Sequence, residues 1–480
     1  MRVILTFVLL SAATGIHHGA GGDKAQPLPW PQFRGPGGSA VADAEKPPLE
    51  FGPDKNLRWK VPVPSGLSSP IIAGDNLVLT AFEKGKLYTI AYRRSDGQEA
   101  WRKEAPAKKI EKFMKTEGSP AASTPATDGK RIVSYFGSCG LVCYDLAGKE
   151  LWTFAMPAAV MMGNFGSGVS PILVDGLAVI VRDETKNSRI VAVDAATGKL
   201  KWERKRQSPV SYCTPVVWDT PAGKQIAAAG HARMIGYDLE SGAEKWSVLG
   251  IPPGCCASPV TADGLLYFAG SSPGHDADFK MPSFDDLLKQ LDKNKDGILS
   301  RDEAEKAFEG FFDAQDLNSD GKLTRDEFDA INRFMSDGAN ACFALKPGGT
   351  GEVSKSHVLW KKTKGLPYVT SALLYRGQYV MVKDGGIITA YDAKSGKEVY
   401  MTRTINDAKF YASPVAANGH IYFTALADGA VTVVKAGGVK PEVVARNPKL
   451  GERVAATPAI ADDTLYIRAA SHLYACGKKQ

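Results

Sequence analysis

A unit that recurs along almost the whole length of this chain limits its fold more than any other feature. One marker is a Ser/Thr-Pro step that opens an apolar run: Ser69–Pro70, Thr124–Pro125, Ser170–Pro171, Thr214–Pro215, Ser258–Pro259, Ser413–Pro414 and Thr457–Pro458. The sixth unit carries Thr370–Ser371 in that place. The markers stand roughly 40–55 residues apart, with one interruption between the fifth and the sixth. Each is followed by a turn with Gly or Asp, then an apolar run such as Leu77–Thr80, Leu177–Val181 or Ile421–Thr424. A second run follows, such as Leu87–Ala91 or Ile190–Val193. Short apolar runs between turn signals read as strands, and a fixed period of this length indicates a repeat architecture.

The end of the unit is its sharpest signature. The third unit has AVDAATGKLKW from Ala192 to Trp202, the fourth GYDLESGAEKW from Gly236 to Trp246, and the sixth AYDAKSGKEVY from Ala390 to Tyr400. Shorter versions end at Trp101 and Trp152. The Asp side chain can cap the turn, the Gly can take the positive φ of a tight hairpin, and the Trp is free to pack on the next unit.

This pattern resembles the tryptophan-motif propeller family of pyrroloquinoline quinone (PQQ) enzymes and their non-enzymatic relatives. The resemblance covers most of Trp30–Lys478, and Trp30–Pro36, WPQFRGP, looks like the start of exported bacterial members. It implies an all-β, eight-bladed β-propeller of four-stranded blades. The eighth unit, Val454–Lys478, has only three candidate strands. Leu57–Val61, reading LRWKV, is expected to supply the fourth through Trp59 and so close the ring.

The interruption contains two twelve-residue segments with calcium-loop spacing. Asp292–Glu303 reads DKNKDGILSRDE and Asp316–Glu327 reads DLNSDGKLTRDE. Each has oxygen side chains at positions 1, 3 and 5, Gly at 6, Ser or Thr at 9 and Glu at 12, the order in which such a loop surrounds a hard cation. The expected Ca2+ ligands in the first loop are Asp292, Asn294, Asp296, the carbonyl of Ile298 and bidentate Glu303, with Ser300 acting through water. In the second they are Asp316, Asn318, Asp320, the carbonyl of Lys322 and Glu327, with Thr324 in the water position. Ile298–Leu299 and Lys322–Leu323 are expected to pair as the short strands that join the loops. The segments resemble EF-hands, with one departure. They start 24 residues apart (316 − 292), so Arg301–Gln315 must serve both loops as a helix. Its apolar positions Ala304, Ala307, Phe308, Phe311 and Phe312 have helical spacing. Extracellular calcium modules bind at ~0.1–1 mM, the range expected here.

This insert interrupts the fifth unit between Leu265–Gly270 and Ala341–Leu345, the expected second and third strands of blade five. In a four-stranded meander, connections from strand two to three share a face with those between blades. In the resembled family that face carries the central funnel, so the insert should overhang or flank it. The expected division is a signal peptide (1–20), an N-terminal extension (21–55), a first propeller part (56–270), the insert (271–339) and a second propeller part (340–480).

The N-terminus, MRVILTFVLLSAATG, has a basic Arg2, a short apolar stretch Val3–Ala13 and small residues after it. That reads as a secretory signal rather than a membrane span, which needs about 20 apolar residues. No Cys occupies a lipobox position. A periplasmic or secreted protein without a lipid anchor is expected. The net charge is +7, with Lys and Arg spread along the chain. The one dense run, Arg204–Lys205–Arg206, follows a strand and reads as a solvated edge, and no nucleic-acid motif accompanies it. Of seven cysteines, Cys143, Cys342 and Cys476 hold similar places in separate units, as buried small apolar residues do.

Three tyrosines precede the marker or its equivalent, Tyr212, Tyr368 and Tyr411, and Cys256 holds that place in the fifth unit. With Met161, Met162, Asn164 and Phe165 from a between-blade loop, they could ring a funnel mouth or simply pack on one another. Some PQQ alcohol dehydrogenases set a disulfide between adjacent cysteines against the quinone, so the resemblance implies Cys255 and Cys256 as candidate cofactor contacts. The family's calcium ligands and catalytic Asp have no visible counterpart here, and no nucleophile–base pair, zinc-ligand spacing or phosphate loop is visible. The leading expectation is a non-enzymatic calcium-binding propeller that presents a funnel or rim to a protein, peptide or cell-envelope glycan. The propeller subunit of the outer-membrane barrel-assembly machinery is a similar relative. The rival expectations are a PQQ-dependent dehydrogenase of alcohols or sugars and a polysaccharide hydrolase or lyase, since fold alone does not decide chemistry.

Overall fold

The computed structural model describes residues 28–272, 282–308, 311–405 and 407–478. The expected signal peptide lies outside them. Eight sheets stand around one axis, each built on a four-stranded antiparallel meander. Blade 3 is typical: Ile172–Val174, Leu177–Arg182, Arg189–Asp194 and Leu200–Lys205 pair in sequence order. Blade 8 is closed by the N-terminal strand, because Leu57–Pro62 pairs with His472–Cys476. The ring therefore has eight blades, as expected.

The Ser/Thr markers form a closed belt around the axis. Each backbone N–H donates to the marker hydroxyl of the next blade: Ser69 to Thr124 at 2.9 Å, Thr124 to Ser170 at 3.0 Å, Ser170 to Thr214 at 3.1 Å and Thr214 to Ser258 at 3.0 Å. Ser258 donates to Ser371 at 2.9 Å, Ser371 to Ser413 at 3.0 Å, Ser413 to Thr457 at 3.0 Å and Thr457 back to Ser69 at 2.9 Å. The residue after the hydroxyl is Pro in seven blades and Ala372 in the sixth. Each interface thereby satisfies a backbone donor that no sheet ladder reaches.

The Trp signature joins the outer halves of the blades. Trp101, Trp152, Trp202 and Trp360 each donate Nε1–H at 3.0 Å to a turn carbonyl of the next blade, at Leu146, Ala195, Leu239 and Ala393. Trp59 does the same to Arg94 across the ring closure, at 2.9 Å. The indole lies flat on the turn glycine. A Cβ on Gly198 would sit 2.7 Å from the Trp152 ring, and Gly198 has φ +70°, so both space and backbone call for glycine there. Blade 4 departs from the rule. Trp246 donates to Gln225 in its own blade at 2.7 Å. The turn it would meet is replaced by a long connection in blade 5, from which Gly351–Glu352 adds a fifth, parallel strand to blade 4.

The segment Trp30–Ala42 crosses the axis. Trp30 is fully buried and its carbonyl accepts from Ile72 N–H in blade 1, while the Pro31 carbonyl accepts from Thr127 in blade 2. Residues 36–38 touch the innermost strands of blades 4 and 5, and Ala40 and Ala42 exchange hydrogen bonds with Ala416 in blade 7. The WPQFRGP segment thus plugs the channel.

The insert leaves blade 5 between Leu265–Gly270 and Ala341–Leu345, as expected. Its helices are α1 (Phe284–Leu291), α2 (Arg301–Ala304), α3 (Phe312–Gln315) and α4 (Arg325–Ser336). Phe284, Leu299, Ala304, Phe312, Leu323 and Phe328 form its own small core. Arg301–Gln315 is not the single helix its periodicity suggested: α2 ends at Ala304, and α3 begins at Phe312. Phe311 is turned out of the insert's core onto the propeller, which the helical spacing does not allow for. The strand pairing is Leu299–Ser300 with Lys322–Leu323, one residue later than expected in the first loop. Among the described residues no helix is long and apolar enough to cross a membrane.

Candidate functional site on the funnel face

The between-blade connections, the strand two-to-three connections and the insert share one face of the ring. The insert docks there through two contacts. Phe311 packs on Phe165, with ring centroids 6.4 Å apart, and the carbonyl of Asp313 accepts from Asn164 Nδ2 at 2.8 Å. On α4, Phe334 stacks on His231 at 4.5 Å, and just beyond it Asp337 meets His231 Nε2 at 2.9 Å. His231 lies in the bend between Gly223–Ala229 and Arg233–Asp238, the second and third strands of blade 4. A cavity of about 450 Å³ lies between α4 and the propeller, lined by Met162, Lys186, Ser208, His231, Phe334 and Asp337 among others.

Of the expected funnel residues, Tyr212 packs edge-on against Phe165 at 6.5 Å. Tyr368 is 43% exposed at the mouth. The Tyr411 hydroxyl donates to Glu117 Oε2 at 2.6 Å, and Arg453 Nη2 donates to the same oxygen at 3.3 Å. Connections from three blade interfaces therefore meet at Glu117, a residue with no repeat signature.

Beneath the rim are buried charges that carried no sequence pattern. Arg206 Nε and Nη2 donate to the two oxygens of Asp183 at 2.7 and 3.1 Å, and Ser211 donates to Asp183 at 2.6 Å. Arg206 is thus a buried ion-pair partner and not part of a solvated edge. Its neighbours Arg204 and Lys205 are exposed. The difference arises because Arg206 is the first residue past its strand and turns inward under the Tyr237 hydroxyl. Arg182 makes a bidentate pair with Glu184, both bonds at 3.1 Å. Glu111 is buried and accepts from Ser167 at 2.7 Å. Burial pushes its carboxyl up to about 7 against the lowering effect of the Ser167 hydrogen bonds. A Cβ on Gly137 would sit 2.1 Å from Ser167 Oγ and 2.2 Å from Glu111 Oε2, so a side chain there would displace this pair.

Cys255 and Cys256 are free thiols. Cys255 is buried with its Sγ 3.0 Å from the Pro252 carbonyl, while the Cys256 Sγ lies 3.7 Å from Gly254 O. Loss of water around Cys256 pushes its thiol up to about 12, so it is not a thiolate at neutral pH. PQQ is a polyanion and needs cations. On the funnel face Arg182, Arg206 and Arg453 are already held by Glu184, Asp183 and Glu117, and Trp30–Ala42, with Arg34 buried in it, fills the axis. This donor set does not fit the quinone.

The insert loops suit a hard cation in composition, and their first Asp residues accept hydrogen bonds from the loop backbone. Asp292 accepts from the N–H groups of Lys295 and Gly297 at 2.8 and 3.0 Å, and Asp316 from those of Asp320 and Gly321 at 3.1 and 2.9 Å. Glu303 folds back on Ser300 and Lys293, whose hydrogen bonds draw its carboxyl down to about 2. Glu327 likewise accepts from Thr324 and Asn318. With the carboxylates spread over these donors, no three Asp, Glu, His or Cys side chains stand together as a metal cluster among the described residues.

The family described as outer membrane protein assembly factor BamB matches residues 90–249 and 344–477, on either side of the insert. No curated protein matches the chain in sequence. Among solved structures, BamB from Moraxella catarrhalis is similar at 11% identity and a TM-score of 0.54, covering 87% of this chain and 96% of that one. Quinohemoprotein alcohol dehydrogenase from Comamonas testosteroni is similar at 12% identity and a TM-score of 0.57, covering 95% and 81%. A europium-containing methanol dehydrogenase is similar at 11% identity and a TM-score of 0.54, covering 92% and 89%. At these identities the likeness is one of fold.

Proposed function

Because the chain belongs to the outer membrane protein assembly factor BamB family, we propose that it is an exported, non-enzymatic interaction module of the cell envelope that binds calcium through its insert. The observation that carries this reading is the insert's position on the funnel rim, against Phe165 and His231. On the same face Val160, Phe311 and Tyr368 are 61%, 39% and 43% exposed, an apolar surface suited to a polypeptide. The plugged axis and the paired arginines leave the rim, rather than the channel, to meet a partner. A cell-envelope glycan is the alternative partner for the same rim. Calcium filling Asp292–Glu303 and Asp316–Glu327 would order α3 and α4, the two elements that touch the propeller.

The test is calorimetry of the mature protein with calcium, then with an unfolded outer-membrane β-barrel polypeptide and with a cell-wall glycan. The expected results are calcium heat at ~0.1–1 mM and polypeptide binding that Tyr368→Lys weakens. A dye-linked assay with PQQ, millimolar calcium and simple alcohols or sugars is expected to show no turnover. Turnover would overturn the proposal and favour the dehydrogenase.

A further inference from the structure

The axial segment carries into the ring a positive charge that no carboxylate among the described residues neutralises. Arg34 is 1% exposed. Its Nη2 donates to the carbonyl of Ala372, the residue after Ser371 in the hydroxyl belt. Among the described residues its Nε and Nη1 have no partner. No carboxylate is near enough to influence it, and the group that does, Tyr379, has an unpartnered hydroxyl of its own. The Nε1–H of Trp30, four residues earlier in the same segment, also lacks an acceptor.

The other buried guanidiniums of this ring have more partners than Arg34, although Arg182 Nη1 and Arg468 Nε are also unpartnered among the described residues and no carboxylate acts on Arg468 either. Arg182 and Arg206 face Glu184 and Asp183. Arg468 donates to the carbonyls of Ser68, Thr80 and Pro64 and to the Ser68 hydroxyl. At Arg34 the imbalance extends to the belt. Each of its eight hydroxyls accepts a backbone N–H, and among the described residues none has a hydrogen bond in which it donates. The axis beside Arg34 is therefore rich in donors and poor in acceptors. An unpaired buried charge is costly, and a counter-charge with several acceptor directions offsets that cost.

We propose that a small inorganic anion of the halide class binds on the propeller axis, held by Nε and Nη1 of Arg34 beside the hydroxyl belt. The anion would complete the anchoring of Trp30–Ala42 across the channel. Burial pulls the Arg34 guanidinium down only to about 10, so it stays charged at neutral pH.

Bromide is the probe. At constant ionic strength, with gluconate as the bulky replacement, the Tm of the wild-type protein should rise by ~1–2 °C per tenfold bromide once the site begins to fill. Arg34→Met should show no such rise. Crystals in bromide should give an anomalous peak within hydrogen-bonding reach of the Arg34 guanidinium. A flat wild-type response, a rise that survives in Arg34→Met, or a bromide crystal without that peak would overturn the proposal. If Arg34→Met does not fold, the anomalous peak in the wild-type crystal decides.

Discussion

The backbone N–H of Thr457 donates to the Ser69 hydroxyl at 2.9 Å, joining residues 388 positions apart. This bond closes the belt between blades 8 and 1. The same interface is sealed at its outer edge by Trp59 Nε1–H on Arg94 O, and blade 8 itself by the pairing of Leu57–Pro62 with His472–Cys476. Closure removes the free sheet edges that an open array would expose.

Removing one belt hydroxyl leaves a buried N–H without an acceptor. Ser69→Ala should therefore lower the unfolding free energy by ~1–3 kcal/mol in urea denaturation. Ser69→Thr keeps the acceptor and should retain most of the stability. Equal losses in the two variants would mean that packing, not the hydrogen bond, matters at the belt.

The Trp–Gly contact makes a paired comparison. Gly198 and Gly176 both have positive φ, at +70° and +77°. A Cβ on Gly198 meets the Trp152 ring at 2.7 Å, whereas one on Gly176 meets nothing within 4 Å. Both alanine variants bear the ~1–2 kcal/mol cost of the left-handed backbone. Gly198→Ala should cost a further ~1–3 kcal/mol from overpacking. Denaturation midpoints of the two variants measure the difference.

Eight blades were legible in the sequence because each unit spends recognisable residues on the same three tasks: a belt hydroxyl, a turn and an indole. The closing strand was legible because Leu57–Val61 repeats an outer strand in front of the first marker. The place of the insert followed from strand parity alone. The buried charges were not legible, because a lone Glu111 or Asp183 has no period, and its partner arrives from another loop. Arg206 looked exposed beside Arg204 and Lys205 because composition does not record where a strand ends. The axial plug was recognisable as a motif, but its path across the channel depends on contacts with blades up to 376 residues away (416 − 40), as between Ala40 and Ala416.

Glu111 gives a pH dependence of definite sign. Its carboxyl is raised by burial from 4.5 to about 7 in the folded chain. Between those values the folded state holds a proton that the unfolded state has lost, so Glu111 makes stability fall as pH rises from about 4.5 to about 7. The total is about 3 kcal/mol by linkage. Glu111→Gln keeps an acceptor for Ser167 and removes the charge. It should flatten that part of the pH profile and be more stable than wild type at pH ~8. A variant with an unchanged profile would show that Glu111 is ionised without cost, its charge met by Arg182.

The calcium reading makes the last prediction. Glu303 and Glu327 hold the twelfth positions, and each already caps its helix through Ser300 or Thr324. Glu303→Gln with Glu327→Gln leaves an oxygen for the cap but removes the charged bidentate pair on which a loop of this kind depends. The double variant should lose its calcium heat in calorimetry by at least tenfold in affinity, ~1.4 kcal/mol per tenfold. Its β-sheet circular dichroism should be unchanged, because the insert has its own core of Phe284, Phe312 and Phe328. Loss of the whole fold would instead show that the contacts of Phe311 with Phe165 and of Phe334 with His231 support the ring. Calcium would then act on the propeller itself, through α3 and α4, rather than on the insert alone.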